Sequence, residues 1–426
     1  MDKSNEKYSA YIQILKEELV PAMGCTEPIA IAYAAAKGRE VLGELPDQVV
    51  VEASGNIIKN VKSVVVPNTG GLHGIEAAAA AGVVAGRPEL MLEVISQVTR
   101  EQQEEMRVYL EEHPVRVEFL DGDLVFDIRL TLRRGENEAK VRIANYHTNI
   151  VHLEHNGQVL LDLPVEAEDE SGLTDRSLLS MADIFDFAQT VEIDDVREVI
   201  GRQIECNMAI SQEGLTHSYG ANIGQVIRAS SRPDDPIARA KSAAAAGSDA
   251  RMGGCEMPVI INSGSGNQGM TASVPVIVYG REIGASEEKL YRALVLSNLI
   301  TIHQKTRIGR LSAYCGAVSA GAAAGAGIAY LDGGGYEEVI HTVVNALAIV
   351  SGMICDGAKA SCAGKIAAAI DAGVLGYRMY QQGQQFHGGD GIISRGVEKT
   401  LDNVGRLGKI GMRSTDKEIL QIMLQT

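Results

Sequence analysis

The sequence predicts an α+β protein: an alanine- and glycine-rich, predominantly helical domain carrying an inserted small α+β module built on an antiparallel sheet. Three observations carry this expectation. Runs such as EAAAAAGVVAG, KSAAAAG and VSAGAAAGAGIAYL fill helical stretches with small residues, in a chain of 426 residues with 46 Gly, five Phe and no Trp. Stretches such as VRVEFL, LVFDIRLTLRR and EAKVRIANY alternate apolar and polar residues at the period of a strand. Helical periodicity then returns at about Ser177 and dominates to a polar C-terminal tail. The division expected is residues 1–92 plus 176–426 for the helical domain and 93–175 for the module, and a chain this long buries a core of that size.

In order along the chain, residues 5–20 place apolar side chains at helical spacing and stop at Pro21. Thr26-Glu27-Pro28 reads as a helix start: a capping hydroxyl, a carboxylate facing the positive end, and a proline in the first turn. A strand-like run covers 48–54 and an apolar run 57–66, and Asn68-Thr69-Gly70-Gly71-Leu72-His73-Gly74 is a glycine break opening an alanine helix. From about Glu93 a charged helix leads into the alternating stretches, whose intervening GD, RRGEN and NG sequences are hairpin signals. The segment 311–331 is nearly charge-free and long enough to span a bilayer, but its apolar weight comes from Ala and Gly. It reads as a buried helix or one at a subunit contact, as in a homodimer.

The net charge of −16 argues against nucleic-acid binding and against an anionic membrane surface. The polar start MDKSNEKYSAYIQ lacks a secretory pattern, so the six cysteines read as reduced thiols at a cytoplasmic address.

Three of those cysteines, Cys315, Cys355 and Cys362, lie in glycine- and alanine-rich settings that offer a thiolate without bulky neighbours. Three thiolates can hold three irons of a cubane cluster and leave the fourth open as a Lewis acid. Cys355 and Cys362 would be roughly 10 Å apart on one unbroken helix, too far for one compact site. Asp356-Gly357 supplies a break, with one helix over 341–354 ending near Cys355 and another beginning near Ser361. Cys362 then rides a first helical turn, which favours negative charge. The other reading is that all three are small buried hydrophobes, and the spacing alone leaves both open.

Cys25 precedes the helix start at Thr26, where the dipole lowers a thiol pKa. Two glycine loops, Asn68-Thr69-Gly70-Gly71 and Ser263-Gly264-Ser265-Gly266-Asn267-Gln268-Gly269, precede apolar helices and offer N–H groups to an amino-acid carboxylate, or else are tight turns. His73, His217 and His303 stand beside glycine or polar residues and read mostly as structural. Lys305 and Arg307 can pair with a substrate carboxylate, although an exposed helix face is the more ordinary reading, and Cys206 and Cys255 are assigned to the core.

With PAMGCTEP (21–28), NTGGLHG (68–74), GSGNQGMTASVPV (264–276), SAYCGAVSAGAAAG (312–325) and CDGAKASC (355–362) in hand, the chain resembles the UPF0597 family, whose characterised members resemble L-cysteine desulfidase. More distantly it is similar to the α chain of iron-sulfur L-serine dehydratases. The resemblance covers the full chain and implies an oxygen-sensitive 4Fe-4S cluster on Cys315, Cys355 and Cys362, with Cys25 close to the open iron. The serine dehydratases carry a longer loop between the last two ligands and a proline after Cys-Asp. Here the loop is short and has Gly357, which favours the desulfidase branch.

The activity implied is β-elimination of L-cysteine to pyruvate, hydrogen sulfide and ammonia. The substrate carboxylate would lie in the two glycine loops (Asn68, Thr69, Gly70, Gly71 and His73; Ser263 to Gln268), with Cys25 as base or as a displaceable fourth ligand. The rivals are a serine dehydratase, a pyridoxal-phosphate lyase using Lys305 or Lys359, and a non-enzymatic iron-sulfur sensor.

Overall fold

The computed structural model describes residues 1–122, 124–166 and 173–425. Two sheets and a body of helices make up the fold. Strands β1 (Pro21–Met23) and β8 (Pro258–Ile260) form a two-stranded antiparallel ribbon. The larger sheet comprises β2 (Gln48–Ala53), β3 (Arg116–Phe119), β4 (Asp127–Arg134), β5 (Asn137–Ala144), β6 (Ile150–His155) and β7 (Gln158–Asp162), in the order β3-β2-β4-β5-β6-β7.

Two of the expected hairpins form. Asn156 and Gly157 both hold positive φ, 51° and 79°, the conformation an Asn-Gly hairpin turn requires between β6 and β7. Gly135, at φ 56°, turns β4 into β5. The GD signal is different. Asp123 lies outside the described residues, and β3 and β4 are not neighbours, because β2 inserts between them, parallel to β3 and antiparallel to β4. The sheet therefore takes one strand from the first 92 residues, since the apolar face of β2 (Val49, Val51, Ala53) is buried with those of β4 and β5. The helix laid on this sheet is Thr26–Leu42: a Cβ at Gly38 would meet Leu132 Cδ1 at 2.5 Å.

The helical body is built by close approach. The helix Gly316–Leu331 is buried among the helices Gly266–Glu282, Glu287–Ile308, Tyr336–Val350 and Cys362–Gln381. A Cβ on Gly321 would lie 2.6 Å from the Ala369 backbone, and one on Gly325 2.6 Å from the Gly373 backbone. Only hydrogen at these positions lets two main chains touch. Gly321 faces Ala369 and Gly325 faces Gly373, so the two helices run parallel, and their first residues, beside Cys315 and Cys362, come level at one end. Among the described residues, no helix is long and apolar enough to cross a membrane. Within the charge-poor 311–331 segment, Gly316–Leu331 is a central core helix whose Ala and Gly residues suit neighbours at main-chain distance.

Candidate active site

Four helices deliver their N-termini to one small chamber of about 90 Å³. Cys25 is the N-cap of Thr26–Leu42, Ser265 of Gly266–Glu282 and Cys315 of Gly316–Leu331, while Cys362 is the first residue of its own helix. All four cysteines, 25, 315, 355 and 362, line this chamber. Each helix end presents unpaired N–H groups and about half a positive charge, so the space is electrostatically prepared for anions.

The chain reaches this arrangement in two pairs. Tyr314 and Ile354 form an antiparallel bridge, with Cys315 N–H donating to Met353 O (3.1 Å) and Cys355 N–H to Ala313 O (2.6 Å). That register puts the side chains of residues 315 and 355 on one face, as diagonal neighbours. Cys25 packs instead with Val64 and Met252, against Ala358 and Cys362. Between Cys355 and Cys362 the chain turns at Gly357, whose φ is 95° and whose hypothetical Cβ would lie 2.3 Å from Lys59 O, so only glycine fits. Asp356 staples the turn by pairing with both Lys359 and Lys365. Burial opposes its ionisation, but the two ammonium groups hold its carboxyl down to about 2. The helix expected over 341–354 ends at Val350, leaving 353–355 extended to make the bridge.

Burial, with the neighbouring Cys355 sulfur adding to it, pushes the Cys315 thiol up to about 12, and burial raises Cys362 as well. Cys25 corrects an expectation. Its position at a helix start was expected to lower its pKa, yet the thiol is raised well above the usual value, because complete burial and the adjacent Glu27 carboxylate outweigh the helix end and Arg251. Cys25 Sγ donates to Glu27 Oε2 at 3.2 Å, and Thr26 Oγ1 (3.0 Å) and Asn60 Nδ2 (2.9 Å) donate to the same carboxylate. Burial alone would raise Glu27, but the Cys25 thiol, its own backbone N–H and Arg251 hold it low. His147 is kept neutral, down to about 4, by its burial.

Of the two glycine loops, the structure brings only one to the chamber. Gly264, Ser265, Asn267 and Gln268 line it, and Gly264 O accepts from Thr26 Oγ1 at 2.8 Å, tying the loop to the Cys25 helix. Ser263 faces an adjoining cavity, and Gly266 packs so tightly that its Cβ would lie 2.2 Å from Arg251 Nε. Asn68, Thr69, Gly70, Gly71 and His73 do not line the chamber. Val66 N–H donates to Leu72 O, Asn68 Nδ2 to Ile95 O and Thr69 Oγ1 to Val66 O, so this loop closes on itself and these two side chains bond to main-chain oxygens; His73 is exposed.

Lys305 also departs from expectation. It is 5 % exposed rather than on an open helix face, because its helix is enclosed by neighbours on nearly all sides, and it lines the chamber. Burial, opposed by the nearby Cys355 and Cys315 sulfurs, lowers its ammonium to about 8. Arg307 pairs with Glu398 and Asp402, His303 with Glu398, His217 with Glu213, and Lys359 with Asp356. Residues that the sequence did not single out for this site are Glu27 as a hydrogen-bond acceptor, Asn60, Arg251 and Arg310. Glu27 was legible only as a dipole partner; its closeness to Asn60 and His147 depends on long-range packing.

Among the described residues, no three His, Cys, Asp or Glu side chains close on one point as ligands of a single ion. The donor set is instead three thiols spread around a chamber that a fourth thiol completes. Such an arrangement fits a multi-iron cluster, in which each thiolate binds a different iron.

Residues 89–421 match the serine dehydratase alpha chain family, a span that holds Cys315, Cys355 and Cys362. The chain is 60% identical over 424 residues to a UPF0597 protein of Desulfitobacterium hafniense, covering 100% of this chain and 98% of that one. It is 52% identical over 417 residues to a UPF0597 protein of Lachnoclostridium phytofermentans, covering 98% and 100%. It is 49% identical over 430 residues to one of Treponema denticola, covering 100% and 99%. The chain belongs to the UPF0597 family. As a UPF0597 protein with a serine dehydratase alpha chain region, it falls in a serine dehydratase-like lyase family. Cys25 and its Glu27 partner precede the matched region.

Proposed function

We propose that this UPF0597 protein is an L-cysteine desulfidase, a lyase that converts L-cysteine and water to pyruvate, hydrogen sulfide and ammonia with a 4Fe-4S cluster. Cys315, Cys355 and Cys362 would hold the cluster. The observation that carries the reading is the meeting of those thiols and Cys25 in one chamber at four helix N-termini. When bound, the cluster supplies an open iron that acts as a Lewis acid toward the leaving sulfur. Holding the cluster would require Cys315 and Cys362 to give up the protons that burial favours.

The chain's own groups account for the rest. Glu27, fixed by Thr26 and Asn60 and held ionised, faces the Cys25 sulfur; Cys25 is the base candidate, and its Sγ accepts the Cα proton of the substrate only as a thiolate, the form that burial and Glu27 disfavour in the protein alone. Gly264, Ser265 and Gln268 at the start of the Gly266 helix orient the amino acid, and the buried walls keep bulk water from the reacting carbon. The test is anaerobic purification with iron and sulfide analysis, followed by assays of pyruvate and sulfide from L-cysteine. A protein that assembles no cluster, or releases no sulfide, ends the proposal. Cys25→Ser should keep the cluster absorbance and lose turnover if Cys25 is the base; loss of the absorbance makes it a ligand instead.

A second reading, serine dehydration at the same site, is favoured by the family match over residues 89–421. Turnover of L-serine exceeding that of L-cysteine at equal concentration decides for it.

A further inference from the structure

Among the described residues, the chamber is lined by one cation without a partner and three buried oxygens without one: Asn60 Oδ1, Gln268 Oε1 and the Tyr314 hydroxyl. Arg251 Nε donates to Gly24 O at 2.8 Å, Arg310 pairs with Glu18 at 2.9 Å, and Lys365 pairs with Asp356 and donates to Ile354 O at 2.9 Å. Lys305 alone of the lining cations makes no side-chain hydrogen bond or ion pair among the described residues, although it is 5 % exposed. A largely buried lysine without an acceptor is costly as an ammonium, and an anionic ligand in the chamber would offset that cost. On the acceptor side, Asn60 spends its Nδ2 on Glu27, leaving Oδ1 buried and unpaired, and Gln268 Oε1 is likewise buried and unpaired. The Gln268 amide packs against the start of the Gly316 helix, where a Cβ would lie 2.6 Å from Cδ.

We propose that Lys305 anchors the α-carboxylate of a free amino acid while Asn60 Oδ1 and Gln268 Oε1 receive its α-ammonium, so that the chamber selects unblocked zwitterionic amino acids. This rests on the amino-acid lyase reading and moves carboxylate binding from the glycine loops to a lysine. The position of Lys305 supports it a second way. Lys305, Arg310, Leu311 and Ser312 also line an adjoining cavity of about 500 Å³, which makes them the shared wall between the outer space and the chamber. Arg176, Lys409 and Arg413 line that outer cavity with Glu18 and Asp416, and Arg176 is paired with Glu17 and Glu18, so the outer cavity carries more cations than anions on the way to the lysine.

L-Alanine carries both charged groups and no leaving group, and is the probe. Calorimetric titration of the full chain, as isolated and without added iron, should show L-alanine binding. Lys305→Met should weaken it roughly 10- to 100-fold, the worth of a charge-assisted hydrogen bond in a dry site, while Lys305→Arg stays within about tenfold of wild type. L-Alaninamide, which lacks the carboxylate, should bind wild type and Lys305→Met alike. Lys305→Gln is the substitute if Lys305→Met fails to fold. Wild-type protein that does not bind L-alanine, or a Lys305→Met protein that binds it as wild type does, overturns the anchor. So does a Lys305→Met protein that loses only cluster absorbance, since the lysine then serves the thiolates. In reconstituted protein the two claims separate. L-Alanine binding without sulfide release sinks the desulfidase and leaves the anchor, whereas sulfide release with an unchanged KM in Lys305→Met sinks the anchor alone.

Discussion

The two glycine-rich loops look alike in sequence and differ in employment. The loop 68–74 precedes the alanine helix Gly74–Ala85, and the loop 263–269 runs into Gly266–Glu282. In the first, Asn68 and Thr69 bond to main-chain oxygens and the turn is sealed by its own bridge between Val65 and His73. In the second, Gln268 keeps an unpaired oxygen at the edge of a chamber. Glycine content marks where a chain turns sharply; what separates the two loops is whether a polar side chain stays unspent at the edge of a chamber.

Substitutions at matching places in the two loops sharpen or break this contrast. The largest effect is expected at Gly269, where a Cβ would lie 2.1 Å from Ile260 O. Gly269→Ala should cost about 3 kcal/mol or more, read as a large fall in melting temperature or loss of soluble protein. Gln268→Ala should lower kcat/KM for L-cysteine by roughly 10²-fold while the melting temperature barely moves. Asn68→Ala should do the reverse, costing about 1–3 kcal/mol of stability through the unpaired Ile95 carbonyl and leaving turnover intact. A turnover loss in Asn68→Ala equal to that of Gln268→Ala would erase the distinction. Gly71→Ala meets no atom within 4 Å but holds φ at 93°, so about 1 kcal/mol is expected from backbone strain alone.

The smallest effect concerns the frame under the second loop, where Ser248 bonds to Asn267 and the next residue is Asp249. Burial raises the Asp249 carboxyl to about 6. A raised carboxyl stabilises the fold below its unfolded value and loses that contribution as pH climbs through about 6. Asp249→Asn keeps an oxygen for the Gly224 N–H and should flatten the melting temperature between pH 4 and 7, as differential scanning calorimetry can check.

What the sequence disclosed was local. The bend at Asp356-Gly357 was legible because glycine beside a helix end signals a positive φ, and the Asn156-Gly157 hairpin for the same reason. The alanine runs announced close-packed helices because small side chains leave few other ways to bury surface. What stayed hidden was long-range. Nothing near Gln48–Ala53 says that it will pair with Arg116–Phe119 and with Ile128–Arg133, far downstream. Lys305 reads as surface from its neighbours Gln304 and Arg307, and only the packing of its helix among others buries it. Cys25 carried the right helix-start signature, but its thiol is governed by Glu27 and by enclosure, neither of which local spacing can reveal.

The seam where Gly321 and Gly325 meet Ala369 and Gly373 has one more implication. Since the paired rods abut skeleton to skeleton, neither slides without dragging the other, and the span between the sulfurs at their leading ends is gauged like the jaws of a locked caliper. Whatever occupies that opening must conform to a width set beforehand, and a single added methyl along the seam, far from any sulfur, would reset the gauge.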